Sequence, residues 1–226
     1  TPWGADKLKE DQRWMYGMPP ATNANYAWMQ HMIWHLAPKG RIGMVLAKGS
    51  LSTDTNGEDA IRRNIVNADL VECIVTLPSQ LFYTTQIPVC LWFLNKDKKQ
   101  KGKVLFIDAR SMGDMVTRKL RELTDNDDPE NLGDIQKIAK MYNDYVAGTL
   151  ENVEGLCAVV SISDIEKEDY ILTPGRYVGF AEQEDDDEPY EEKMERLTDD
   201  LYTYFQRSHE LEEDIKHKLE MLGFKA

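Results

Sequence analysis

Apolar residues along the chain fall into short blocks between polar turns, and the spacing inside each block assigns it to a helix or a strand. The segment ANYAWMQHMIWHLAPKG has apolar residues at helical spacing, Asn23 or Asn25 as a cap, and Pro38 and Gly40 as a stop, which predicts a helix. RIGMVLA, residues 41–47, is a continuous apolar run ending in the polar KGSLSTDTNG, as a fully buried strand does. In EDAIRRNIVN, residues 58–67, Ile61 and Ile65 stand four apart and predict a helix with one apolar face. Strands are predicted at LVECIVTLP, residues 70–78, at PVCLWFLNK and at KVLFIDA, residues 103–109. Helix, strand, helix, strand, loop, strand is the order of an α/β domain.

After Arg110 the chain turns polar. The stretch DNDDPENLGDIQKIAKMYNDYVAG predicts a cap or linker and then a helix, with Ile135, Ile138, Met141, Tyr142 and Tyr145 at helical spacing. Pro174-Gly175 marks a turn. EQEDDDEP, residues 182–189, is too polar to pack. Beyond it Met194, Leu197, Leu201, Tyr204, Ser208, Leu211, Ile215, Lys218 and Leu222 recur at intervals of three and four, all apolar but Ser208 and Lys218. This heptad seam, on a helix of about 50 Å, lies along a partner helix or folds back on its own body. Three parts follow: residues 1–110, a smaller helical and irregular module over 111–181, and the linker and heptad helix over 182–226.

Composition narrows the class. With 226 residues the chain can bury a sizeable core in one or two domains, and no apolar run approaches the roughly 18 residues needed to cross a bilayer. Thr1 opens the chain and no signal-peptide pattern follows it, so the expectation is an internal piece of a longer cytosolic protein. Cys73, Cys90 and Cys157 are too widely spaced for a disulfide framework or a zinc site and read as buried thiols. The net charge of -13 conceals an asymmetry: residues 182–226 hold 16 acidic and 6 basic residues, and residues 1–181 hold 24 acidic and 21 basic. In that nearly neutral body, Lys96, Lys98, Lys99, Lys101 and Lys103 are followed by Arg110, Arg118, Lys119 and Arg121. They form a solvated charged hairpin or a phosphate-facing surface.

Neither GxGxxG nor GxxxxGK[ST] occurs. His31 and His35 are four apart on the first helix, yet Met32, Ile33 and Trp34 between them lack the glutamate of HExxH, so no metal is expected. In a parallel α/β sheet, ligands bind at the carboxyl ends of the strands, here the loops starting near Lys48 and Pro78. The second loop carries Phe82-Tyr83, an aromatic pair that stacks on a planar group such as a nucleobase or caps the sheet edge.

The segments WGADKLKEDQRWMYGMPPATNANYAWMQHMIWHLAPKGRIGMVLAKGSLS, IRRNIVNADLVECIVTLPSQLFYTTQIPVCLWFLNKDK, VLFIDAR and YILTPGRYVG resemble the modification (M) subunit of type I restriction-modification systems, in the family's order and over nearly the whole chain. The resemblance implies a prokaryotic, cytoplasmic adenine-N6 DNA methyltransferase that uses S-adenosylmethionine on a Rossmann-like sheet with an antiparallel last strand. It also implies that only the carboxyl-terminal part of that sheet is present. The family's cofactor glycine motif and its Asn/Asp-Pro-Pro-Phe/Tyr tetrapeptide do not occur here. Strand 41–47 would be the family's fifth, 70–77 the sixth, 88–95 the antiparallel seventh between them, and 103–108 an edge addition.

The residue roles implied are correspondingly few. Phe82 is the first choice to stack on a flipped target adenine and Tyr83 the second. The main cofactor site is expected upstream, leaving Asn25 and Tyr26 as cofactor candidates that capping and core packing explain equally well. Lys48, Arg110 and Arg176 are the DNA-binding candidates, Arg176 being a phosphate contact or one half of an internal salt bridge. Leu197, Leu201, Leu211 and Ile215 are expected to dock on the specificity (S) subunit, in a complex that also holds a second M subunit and the restriction (R) subunit. The fragment alone is expected to be inactive. A competing reading is a non-catalytic module that binds a partner through its carboxyl-terminal helix.

Overall fold

The computed structural model describes residues 3–179 and 190–224; the acidic stretch 182–189 lies outside the described residues. Two compact units are present, Thr1–Ala181 and Glu182–Ala226. The first contains α1 (Asn25–His35), β1 (Arg41–Ala47), α2 (Glu58–Asn67), β2 (Val71–Thr76), β3 (Val89–Asn95), β4 (Lys103–Asp108), the two-residue strands β5 (Asp114–Met115) and β6 (Arg121–Glu122), α3 (Asp134–Ala147), β7 (Cys157–Ser161) and α4 (Ile162–Lys167). The second contains α5 (Tyr190–Met221).

Five strands form one mixed sheet in the order β1-β3-β2-β4-β7. β3 runs antiparallel to both neighbours, with Trp92 opposite Met44 on β1 and Ile74 on β2. β2 and β4 are parallel. The antiparallel strand thus lies between 41–47 and 70–77 as the resemblance implies. One expectation is corrected: β4 is not the edge, because β7 pairs antiparallel with it from Lys103↔Ser161 to Ile107↔Cys157. The run CAVVS is five residues long and flows directly into α4, so no turn signal separates it from the helical pattern that follows.

Burial explains the patterning. β2, in the middle of the sheet, is buried at every position, so it is apolar throughout except for Glu72 and Thr76, whose side chains are hydrogen-bonded. A second expectation is corrected: β1 is not fully buried but is an edge strand whose burial alternates, with Ile42 and Leu46 buried and Arg41, Gly43, Val45 and Ala47 exposed, because only one of its faces packs on the core. α1 and α2 cover one face of the sheet through Tyr26, Met29, Ile33, Ile61 and Ile65 against Trp92, Ile74 and Phe106. α3 covers the other through Met141 and Tyr145 against Val75, Leu105 and Ile107. All three cysteines are free and buried, and burial raises the pKa of each thiol. No described helix is long and apolar enough to cross a membrane.

Candidate nucleic-acid interface

β1, β2 and β4 point the same way, so their carboxyl ends share one edge of the sheet. Lys48 follows β1 there, the loop 77–88 follows β2, and Arg110 follows β4. The loop is fixed from beneath: Leu77 is buried and Leu81 packs against the core under α3. Leu81 therefore holds its neighbours outward. Phe82 is 40% exposed and Tyr83 90% exposed, and Phe82 closes a tight turn by bridging to Thr85. Gln80 has φ +67°, a left-handed conformation that a non-glycine residue keeps only where its surroundings enforce it.

The cationic candidates are held differently from one another. Arg110 grips Asp108 with two donors, Nε to Oδ1 at 2.8 Å and Nη2 to Oδ2 at 2.6 Å, while Thr76 Oγ1 donates to the same carboxylate at 3.1 Å. Burial pushes the Asp108 carboxyl up, but the Arg110 bonds outweigh it and hold the carboxyl below its usual value. The turn Pro174–Arg176 packs against this pair: a Cβ on Gly175 would stand 3.3 Å from Arg110 Nη2. Arg176 itself pairs with Glu168 at 2.9 Å, both half exposed. Lys48 is half-buried at the start of the turn Lys48–Leu51.

Tyr26 is fully buried, its hydroxyl donating to the Ser50 carbonyl at 2.7 Å and its ring meeting Trp92 edge-on. Neither asparagine caps α1: Ala24 holds the N-cap position without a side-chain cap bond, and Asn25, the first helical residue, donates its backbone amide to Asn23 Oδ1 in a local turn. Asn25 and Tyr26 serve the start of the helix and the core. His31 and His35 lie 4.4 Å apart by ring centroid, with Arg13 donating to His31 Nδ1 at 2.7 Å. Desolvation, then the neighbouring His35 and Arg13, lower the His31 pKa. Among the described residues no group of three His, Cys, Asp or Glu side chains is placed to hold a metal ion.

Sequence reasoning did not single out Arg62. It is buried and joins two distant segments of this edge, donating to the Thr53 and Tyr170 carbonyls. A signal existed: Glu58, Arg62 and Ile65 fall at i, i+4 and i+7, which puts a glutamate and an arginine on the apolar face of α2. In the second unit, Leu197, Leu201, Leu211 and Ile215 are 46%, 50%, 55% and 58% exposed on α5.

The family model of the N-6 DNA methylases matches residues 1–186. The chain belongs to the N-6 DNA methylase family. Its relatives include the type I restriction enzyme HindI methylase subunit of Haemophilus influenzae, 50% identical over 98% of this chain and 49% of the relative. The MjaIX methylase subunit of Methanocaldococcus jannaschii is 39% identical over 98% of this chain and 40% of its own length. The chain thus spans half or less of these relatives. Among solved structures, a type I restriction-modification methyltransferase subunit from Streptococcus thermophilus matches with a TM-score of 0.66 and 26% identity, covering 79% of this chain and 36% of that one. In this methylase fold the antiparallel β3 lies between β1 and β2, and the loop carrying Phe82 connects β2 to β3 at the edge where β1, β2 and β4 end.

Proposed function

We propose that this chain supplies the base-holding and partner-docking part of a type I adenine-N6 DNA methyltransferase M subunit. The observation that carries the reading is the Phe82-Tyr83 pair, turned into solvent by a loop whose Leu77 is buried and whose Leu81 packs against the core. Exposed rings on a fixed loop at the carboxyl ends of parallel strands suit an extruded base, and stacking of this kind contributes about 1–3 kcal/mol per base. Phe82 is the primary ring and Tyr83 the second. Arg110 and Arg176 keep part of their guanidinium surface exposed despite their ion pairs, and with Lys48 they are assigned to DNA phosphates.

S-adenosylmethionine is the methyl donor in this reading, and its sulfonium supplies the electrophilic methyl group. The residues present do not form its site: Tyr26 is turned into the core with its hydroxyl bonded, and none of β1, β2 or β4 leads into a glycine-rich turn. The role left to this chain is positioning, in which rings and cations hold the strand while the base is out of the helix. The exposed α5 seam docks on the S subunit of a complex with a second M subunit and the R subunit, in the prokaryotic cytoplasm. The competing reading, an interaction module without catalysis, rests on the same seam.

Grafting decides between them. The chain is placed in the HindI methylase subunit of Haemophilus influenzae in place of the segment it matches, and transfer of labelled methyl groups to duplex DNA is measured with the partner subunits present. Activity in the graft that falls by about 5- to 150-fold in Phe82→Ala, as a lost stacking contact of this size implies, supports the enzyme reading. An active graft indifferent to Phe82→Ala and Tyr83→Ala removes the loop from the reaction. A graft that assembles but transfers no methyl supports the interaction module.

A further inference from the structure

β5 and β6 form a small ribbon, with Asp114 opposite Glu122 and Met115 opposite Arg121. It sits directly against the Phe82 loop. The Arg121 backbone amide donates to the Gln80 carbonyl at 2.8 Å, and Gln80 Nε2 reaches the Arg118 carbonyl at 3.4 Å. Gln80 is two residues before Phe82 and holds the left-handed conformation that bends the loop. The ribbon is also braced at its base. Arg121 Nη1 donates to the Met112 and Gly113 carbonyls at 3.1 and 2.9 Å, and Asp134 Oδ2 accepts from the Gly113 and Thr124 amides at 3.0 Å each.

The tip has the opposite character to the base. Thr117 Oγ1 accepts from the amides of Lys119 and Leu120 and so closes the turn. Residues 114–119 are all exposed. Arg118 and Lys119 project there with a backbone fixed by four hydrogen bonds, the two to Thr117 Oγ1 and those of Val116 and Thr117 to the Leu120 carbonyl. Asp114 and Glu122, the nearest carboxylates on the ribbon, lie at its other end. A polyanion is therefore attracted at the tip and repelled at the base. By contrast, Arg110 and Arg176 are each committed to a carboxylate.

We propose that the hairpin Asp114–Glu122 is a phosphate clamp for the same nucleic-acid strand whose base is held by Phe82 and Tyr83, with Arg118 and Lys119 as the phosphate-binding residues and Arg121 as the residue that positions the clamp against the loop. This rests on the base-holding reading of the loop and adds to it the contacts that keep the backbone in place while the base is out. Phosphate contacts of this kind fix register without reading sequence.

The test uses the 226-residue chain and a fluorescein-labelled 20-base-pair duplex with one central mismatched adenine, with binding followed by anisotropy between 50 and 200 mM salt. Two lost phosphate cations lower the slope of log K against log salt by roughly 1.8, and weaken binding roughly 200-fold at 50 mM and 20-fold at 200 mM. Arg118→Ala with Lys119→Ala is expected to show this on every sequence tried, and the charge-preserving Arg118→Lys with Lys119→Arg to keep the wild-type slope. An unchanged slope in the double alanine variant overturns the clamp, as does a wild-type chain with no salt-dependent binding. Phe82→Ala with Tyr83→Ala is read separately, because loss of a stacked ring weakens binding to the mismatched duplex at constant slope. If that variant binds as the wild type does while the double alanine variant loses slope, the loop reading fails and the clamp stands.

Discussion

Arg62 Nε donates to the backbone carbonyl of Tyr170 at 2.8 Å, across 108 residues of sequence. Its Nη1 donates to the Thr53 carbonyl at 2.6 Å, so one guanidinium joins the loop after β1 to the segment leading into Pro174-Gly175-Arg176. The Leu172 amide adds a bond to the Leu51 carbonyl at 2.9 Å. The edge that carries Lys48, Arg110 and Arg176 is thus assembled around a buried charge. Arg62→Leu leaves two carbonyls without their donor and is expected to destabilise the body by about 3 kcal/mol, since each unsatisfied buried acceptor costs roughly 1–3 kcal/mol. Urea unfolding measures it, with the midpoint lowered and the slope unchanged.

Asp134 begins α3 and ties down the hairpin base. Burial raises its pKa, but the amide and hydroxyl of Thr124 and the amide of Gly113 outweigh that and hold the carboxyl below its usual value. The folded pKa is therefore lower than the unfolded value of about 3.9. The stabilisation is complete above that value and fades as the pH falls through the folded pKa. Asp134→Asn is expected to flatten the stability profile below about pH 4, and chemical unfolding at a series of pH values checks this.

Gly113 sits at φ +83°, and a Cβ there would meet the Glu122 carbonyl oxygen at 2.7 Å. Gly113→Ala therefore strains the backbone and forces the two ribbon strands apart. The expected cost is about 1–3 kcal/mol. Hydrogen exchange locates it: the Arg121 amide, which donates to Gln80, loses protection while β2 and β4 keep theirs.

The seam on α5 carries Leu201 and Leu211 half exposed. Leu201→Asp with Leu211→Asp is expected to leave the thermal transition of the body unchanged and to abolish co-purification with an S subunit. Retained co-purification would assign the docking to another surface.

Periodicity alone made much of this fold legible. α1 and α2 occur where spacing predicts them, and α3 places Met141 and Tyr145 in the core and leaves Ile135 exposed at its start. β2 is apolar nearly throughout because helices cover both of its faces, so burial and sequence report the same fact. The family was legible too, since long runs such as LPSQLFYTTQIPVCLWFLNK carry it residue by residue.

Tertiary structure decided what no local pattern encodes. A strand as short as CAVVS pairs with β4 only because β4 presents an open edge to it. Arg110 and Arg176 look alike in the sequence as cations, and which carboxylate claims each depends on contacts made by the folded chain. Tyr26 lies inside because Ser50, 24 residues later, offers its hydroxyl an acceptor within the core. The bond from Arg121 to Gln80 spans 41 residues and joins a basic hairpin to an aromatic loop. A chain's spacing reports which face of an element avoids water; which elements meet, and which donor finds which acceptor, is settled only when the polar groups carried into the core have to be satisfied there.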